Sequence, residues 1–147
     1  MRPGWKRFGL QRLKLYEMIG LPTETSDDID ELVRFSRELA AVIPLSLAIS
    51  PFVPKRNTPL DGCEFEPVVS LGRKLAKLRA GLKGKVELRS TSARWAWVEY
   101  MLAQGDQRAG LAAMDAWRNG GNFASWQKAF ECRGAKPLPR DTGAVCS

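Results

Sequence analysis

Two short stretches hold the residue types from which a binding site could be built. In the first, Gly20-Leu21-Pro22-Thr23-Glu24, a glycine free of side-chain restriction precedes a rigid proline and a carboxylate. In the second, Pro51-Phe52-Val53-Pro54-Lys55-Arg56-Asn57-Thr58-Pro59, the three prolines force an extended path with few free backbone donors. Lys55 and Arg56 sit at its centre. Other chemistry is missing. The chain has no histidine, which removes the commonest general base, the commonest metal ligand and any Ser-His or Cys-His pair. Cys63, Cys132 and Cys146 match no zinc or iron–sulfur spacing, and their odd number predicts reduced thiols, with Cys63 a small loop or core residue. No catalytic residue and no metal ligand is assigned.

The elements that must position these stretches follow from periodicity and turn chemistry. Leu13 to Ile19 reads as a strand that Gly20 and Pro22 stop. Glu24, Thr25, Ser26, Asp27 and Asp28 then supply the side-chain acceptors and negative charge of a helix start. The helix, about 27–43, carries Ile29, Leu32, Phe35, Leu39 and Val42 as its expected buried stripe, and Pro44 ends it. Leu45 to Ser50 is a near-continuous apolar run, as in a strand covered on both faces. Strand, helix and strand in this order imply a right-handed parallel unit. Both glycine–proline stretches then fall on the carboxyl edge of the sheet, where α/β proteins bind ligands.

A second helix, about 66–82, buries Val68, Leu71, Leu75, Leu78 and Leu82, and a short strand spans 85–89. After Ser90-Thr91-Ser92 the chain turns helical. Trp95, Val98 and Leu102 are the expected inner face of one helix, Leu111, Met114 and Trp117 of a second, and Phe123, Trp126 and Phe130 of a third, with Asp106 and Asn122 as caps. From Arg133 onward, proline, glycine and charge predict a disordered tail.

With 147 residues, 44% of them hydrophobic, the chain is long enough for one packed domain. It has neither a long apolar run nor a signal-type N-terminus, so a cytoplasmic location without membrane contact is expected. The net charge of +7 is uneven: residues 1–62 carry nine basic and eight acidic side chains, residues 63–147 fourteen and eight. From Arg73 to Arg94 there are eight Lys or Arg against Glu87 alone, a surface suited to phosphate-bearing partners or simply a solvated helix face.

Lys14 to Thr25 and Ile49 to Leu60, about thirty residues apart, together resemble the late barrel strands of the radical S-adenosylmethionine superfamily. The likeness is to the branch whose members often carry a cobalamin-binding domain. Ser92 to Phe130, with Ala103-Gln104-Gly105-Asp106-Gln107-Arg108 and Gly121-Asn122-Phe123-Ala124-Ser125-Trp126, is similar to the helical segment after that barrel. The resemblance covers about residues 4–131. It implies an α/β fold: a partial (β/α) barrel fragment over residues 1–90, a helical appendix over 91–132 and the tail over 133–147. In such enzymes a 4Fe–4S cluster, held by three cysteines of an early-strand loop, cleaves S-adenosylmethionine to a 5′-deoxyadenosyl radical. On this likeness Gly20, Leu21, Pro22 and Glu24 match the turn beside S-adenosylmethionine. Phe52, Val53 and Pro54 match the strand end near its adenine, with Lys55 free to meet a carboxylate or phosphate.

The sequence departs from that pattern. The cysteine triad is absent, Glu17 stands where a large apolar residue is usual, and Arg56-Asn57 replaces Pro-His or Pro-Gly. The resemblance therefore implies the closing part of such an enzyme, holding no cluster alone and completed by the missing amino-terminal barrel half on the same or another chain. An exposed edge on strand one, an uncovered inner sheet face and self-association are expected. Two alternatives stay open: a stand-alone basic α/β module that binds RNA or another polyanion through Arg73–Arg94, and a structural subunit that completes a partner's barrel.

Overall fold

The computed structural model describes residues 8–139. Three strands and five helices alternate and then separate: β1 (Leu13–Ile19), α1 (Ser26–Val42), β2 (Leu45–Pro51), α2 (Val68–Leu82), β3 (Glu87–Ser90), α3 (Ala93–Gln104), α4 (Gln107–Arg118) and α5 (Phe123–Arg133). The sheet order is β1-β2-β3, and both pairings are parallel. The mixed α/β class and the helical carboxyl-terminal part agree with the sequence reading.

The turn after β1 is fixed by local chemistry. Gly20 takes φ +81, a value that L side chains rarely adopt, and its N–H donates to Glu24 Oε1 at 3.0 Å. Thr25 caps α1 in a reciprocal box with Asp28: Thr25 N–H donates to Asp28 Oδ2 at 2.7 Å, and Asp28 N–H donates to Thr25 Oγ1 at 3.4 Å. The Thr25 N–H first, and then the Thr25 hydroxyl, which donates to Asp28 Oδ2 at 2.8 Å, hold the Asp28 carboxyl below its ordinary pKa.

Strand alternation divides the sheet into two unlike faces. Leu15 and Ile19 of β1, Leu47 and Ile49 of β2 and Leu88 of β3 share one face, packed against Ile29, Leu32 and Val33 of α1 and Leu71, Leu75, Leu78 and Leu82 of α2. Lys14, Tyr16 and Met18 line the other beside Ser46, Ala48 and Ser50. There Tyr16 is 72% and Met18 53% exposed. The Arg12–Glu87 ion pair, 2.8 Å, lies at one end of that face. Both β1 and β3 are edge strands.

The helical part has its own core of Val98, Met101, Ala109, Ala112, Ala116, Ala129, Phe130 and Ala135, joined to the first core through Trp97 and Tyr100. Here the expected stripes need correction. Leu111, Met114 and Trp117 of α4 all face solvent, and the alanines Ala109, Ala112 and Ala116 are buried instead. Small side chains let helices approach closely, and closeness gains more contact than three long residues at a wider spacing would. Trp95 and Leu102 of α3, and Phe35 and Val42 of α1, are likewise exposed, whereas the α2 stripe is as expected apart from a half-buried Val68. Residues 134–139 also differ from the expected tail. Gly134 closes α5 in the left-handed region, Ala135 is buried, and Leu138 N–H donates to Gln104 O at 2.9 Å. The tail expected over 140–147 lies outside the described residues.

Candidate functional site

The parallel register brings both loops to the carboxyl edge, where Phe52 N–H donates to Ile19 O at 2.8 Å. From there they part. Gly20, Leu21, Pro22 and Glu24 line an open hollow of about 680 Å³, together with residues 62–67, Lys74 and residues 137–139. Phe52, Val53, Pro54 and Lys55 do not line it.

The second loop turns into the helical part instead. Pro54 is fully buried and its carbonyl accepts from Gln104 Nε2 at 3.0 Å. Arg56 Nη2 donates to the carbonyls of Gly105, at 2.5 Å, and Gln104, at 3.3 Å, at the carboxyl end of α3. A cation there suits the helix dipole. Lys55 forms an ion pair with Glu99. Val53 packs on the core. This loop is a strap between the sheet and the helical part.

Within the cavity wall the ordering element is a charge triad that the sequence reading did not assemble. Lys74 Nζ donates to Glu24 Oε1 at 2.6 Å and to Glu66 Oε2 at 2.7 Å, and Glu66 accepts from Ser70 Oγ. All three charged side chains are under 20% exposed. Burial pulls the Lys74 ammonium down, but the hydrogen bonds and charges of Glu24 and Glu66 outweigh it, and its pKa lies above the ordinary lysine value. Lys74 belongs to the basic run and was read there as surface charge. Its partners lie 50 and 8 residues away, and only the 50-residue one required the fold.

Gly20 plays a part different from the one expected. A Cβ on it would meet Leu71 Cδ2 at 2.8 Å and Glu66 Oε2 at 2.9 Å, so the missing side chain makes room for α2 and the triad. Glu24, Glu64 and Glu66 against Lys74 give the lining a net negative charge. Such a wall favours a ligand group carrying positive charge.

The cysteines do not fit an iron–sulfur cluster. Cys63 is buried and disulfide-bonded, against the expected reduced thiol, and Cys132 is a free exposed thiol on α5. Among the described residues no three His, Cys, Asp or Glu side chains gather as a metal site. None of the described helices is long and apolar enough to cross a membrane.

No protein-family model matches the chain, and no solved structure does. Among curated proteins it is similar to an uncharacterized protein of Methanocaldococcus jannaschii, MJ0966. The two are 34% identical over 79 residues, which is 53% of this chain and 17% of that protein. The chain thus spans under a fifth of that relative's length.

Proposed function

We propose that this chain is one segment of a larger parallel (β/α) barrel of the radical S-adenosylmethionine type, forming part of the wall of the S-adenosylmethionine pocket. The observation that carries the reading is the unlike pair of sheet faces. All-parallel sheets are stable with both faces covered, yet here Tyr16 and Met18 stand exposed on one face and the strands at both margins lack an outer neighbour. A sheet of this kind is a barrel wall whose remaining strands lie elsewhere.

The pocket wall in this reading is the first loop alone: Gly20, Leu21, Pro22 and Glu24, with Glu66 and Lys74 behind them. Its net negative charge favours the sulfonium and ammonium groups of S-adenosylmethionine. Phe52 to Lys55 are assigned to joining the barrel and the helical part. The 4Fe–4S cluster, which supplies the electron for cleavage in such enzymes, belongs to the missing half, because the cysteines here do not suit it. A cytoplasmic location goes with this reading.

The test is co-expression with the product of an adjacent reading frame that carries three closely spaced cysteines. The reading expects the two chains to copurify and the complex, not either half, to retain S-adenosylmethionine in equilibrium dialysis. Glu24→Gln should weaken that retention. Copurification without S-adenosylmethionine would leave the chain as a purely structural barrel subunit and would overturn the pocket assignment. Failure to copurify would overturn the whole reading.

A further inference from the structure

Two arginines of the basic run, without ion pairs among the described residues, meet at one hollow. Lys74 is paired with Glu24 and Glu66, Lys77 with Asp30, and Arg89 with Glu87. Arg79 by contrast donates to a neutral hydroxyl, Ser90 Oγ, at 2.6 Å. Arg94 rests over the Phe123 ring, 5.5 Å from its centroid. Neither forms an ion pair among the described residues. Both line one hollow of about 470 Å³ between α2 and the start of α3.

The lining of that hollow has a definite chemistry. No carboxylate contributes to it. Ser90 and Ser92 add hydroxyls, and Gly72 opens the wall, where a Cβ would meet nothing within 4 Å. Ser92 is the N-cap residue of α3, yet its side chain makes no capping hydrogen bond and is free to serve another acceptor. The opposite side is apolar: Val68, Val69 and Leu75, with Val69 67% exposed at the rim.

We infer that this hollow binds the phosphate group of a small phosphorylated molecule, with Arg79, Arg94, Ser90 and Ser92 around the phosphate and Val68, Val69 and Leu75 under an apolar body. Planar guanidinium groups with neighbouring hydroxyls are the donor types that bind phosphate oxygens best. An extended polyanion fits less well. Of the other cations in the run, Lys74, Lys77 and Arg89 are tied to internal carboxylates, and Arg73, Lys83 and Lys85 do not line the hollow, so its two guanidinium groups are set apart from a continuous track. The inference does not depend on the barrel reading.

The experiment is isothermal titration of the full chain with inorganic phosphate, phenyl phosphate and phenol, followed by a short single-stranded oligonucleotide. Phenyl phosphate should bind, inorganic phosphate more weakly, and phenol not at all. Arg79→Gln with Arg94→Gln should weaken phenyl phosphate by about tenfold or more, the scale of losing charge-assisted hydrogen bonds. Lys83→Gln with Lys85→Gln, two exposed cations outside the hollow, should leave it unchanged. Circular dichroism checks the fold of each variant. If the arginine pair fails to fold, Arg94→Gln alone carries the test, since among the described residues its side chain rests on the Phe123 ring and forms no ion pair. No binding of phenyl phosphate would overturn the site. Equal loss in the lysine pair, or tighter oligonucleotide binding that both pairs weaken alike, would replace it with a diffuse basic surface.

Discussion

The two loops at the carboxyl edge start alike and end differently. Each follows a parallel strand, each uses proline to fix its path, and each carries a charged residue at its tip. The Gly20–Glu24 loop stays at the cavity wall because a lysine from α2 reaches up to its carboxylate. The Phe52–Arg56 loop leaves because Arg56 finds the carbonyls at the end of α3 and Pro54 finds Gln104. Turn chemistry decides that a loop forms, and the long-range partner decides what the loop is for. In the first case the partner is one strand-to-helix unit away, and in the second it belongs to the helical part.

Each loop depends on a glycine that accepts no side chain, Gly20 within the first and Gly105 under Arg56 of the second, and this gives the sharpest comparison. Gly20→Ala adds backbone strain at positive φ to contact with Leu71 and Glu66, and should cost about 2–4 kcal/mol of unfolding free energy. Gly105→Ala places a Cβ 2.5 Å from Met101 O and 2.6 Å from Ala109 Cβ, for about 1–3 kcal/mol of overpacking. Urea titrations measure both. A neutral Gly20→Ala would mean that α2 does not crowd the first loop, and the triad behind it would be misplaced.

The two lysines separate the loops on electrostatic grounds. Lys74→Met leaves Glu24 and Glu66 close together without their cation in a partly buried setting, and should cost about 2 kcal/mol. Lys55→Met removes an exposed pair with Glu99 and should change stability by about 0.5 kcal/mol or less. Equal effects would erase the distinction between wall and strap.

A pH series refines the same contrast. The pKa of Lys74 is raised on folding, so its contribution is fully present below the ordinary lysine pKa and is lost as pH rises through the raised value. The stability gap between the wild-type chain and Lys74→Met should therefore persist from neutral into mildly alkaline buffer and narrow at strongly alkaline pH. A gap that closes near neutral pH would contradict the triad.

How far these features could be read from sequence follows from the range of the interactions. The acceptor-rich helix start over Glu24–Asp28, the proline ends and the Leu71–Leu75–Leu78–Leu82 stripe are local patterns, and they were legible; which pair closes the box, Thr25 with Asp28, needed the structure. The α4 face was not. Leu111, Met114 and Trp117 recur at helical spacing just as a buried stripe does, and only the close approach of α4 and α5 selects Ala109, Ala112 and Ala116 instead. The Lys74 triad was hidden for a related reason: a lysine in a basic run reads as solvated until the fold supplies two carboxylates. Half of the candidate site, Gly20 to Glu24, was legible because loop position follows from parallel topology. The other half went to the helical part through Arg56 and Gln104, contacts of long sequence separation that no local pattern encodes.

The account rests on the uncovered sheet face being an interior surface of a larger assembly. Light scattering on a sizing column, for the wild-type chain beside Tyr16→Lys with Met18→Lys and beside Trp117→Lys, tests that most directly. The account predicts that the wild-type chain and Trp117→Lys self-associate and that the Tyr16/Met18 variant runs as a monomer. A monodisperse wild-type monomer, or association that Trp117→Lys alone abolishes, would contradict it.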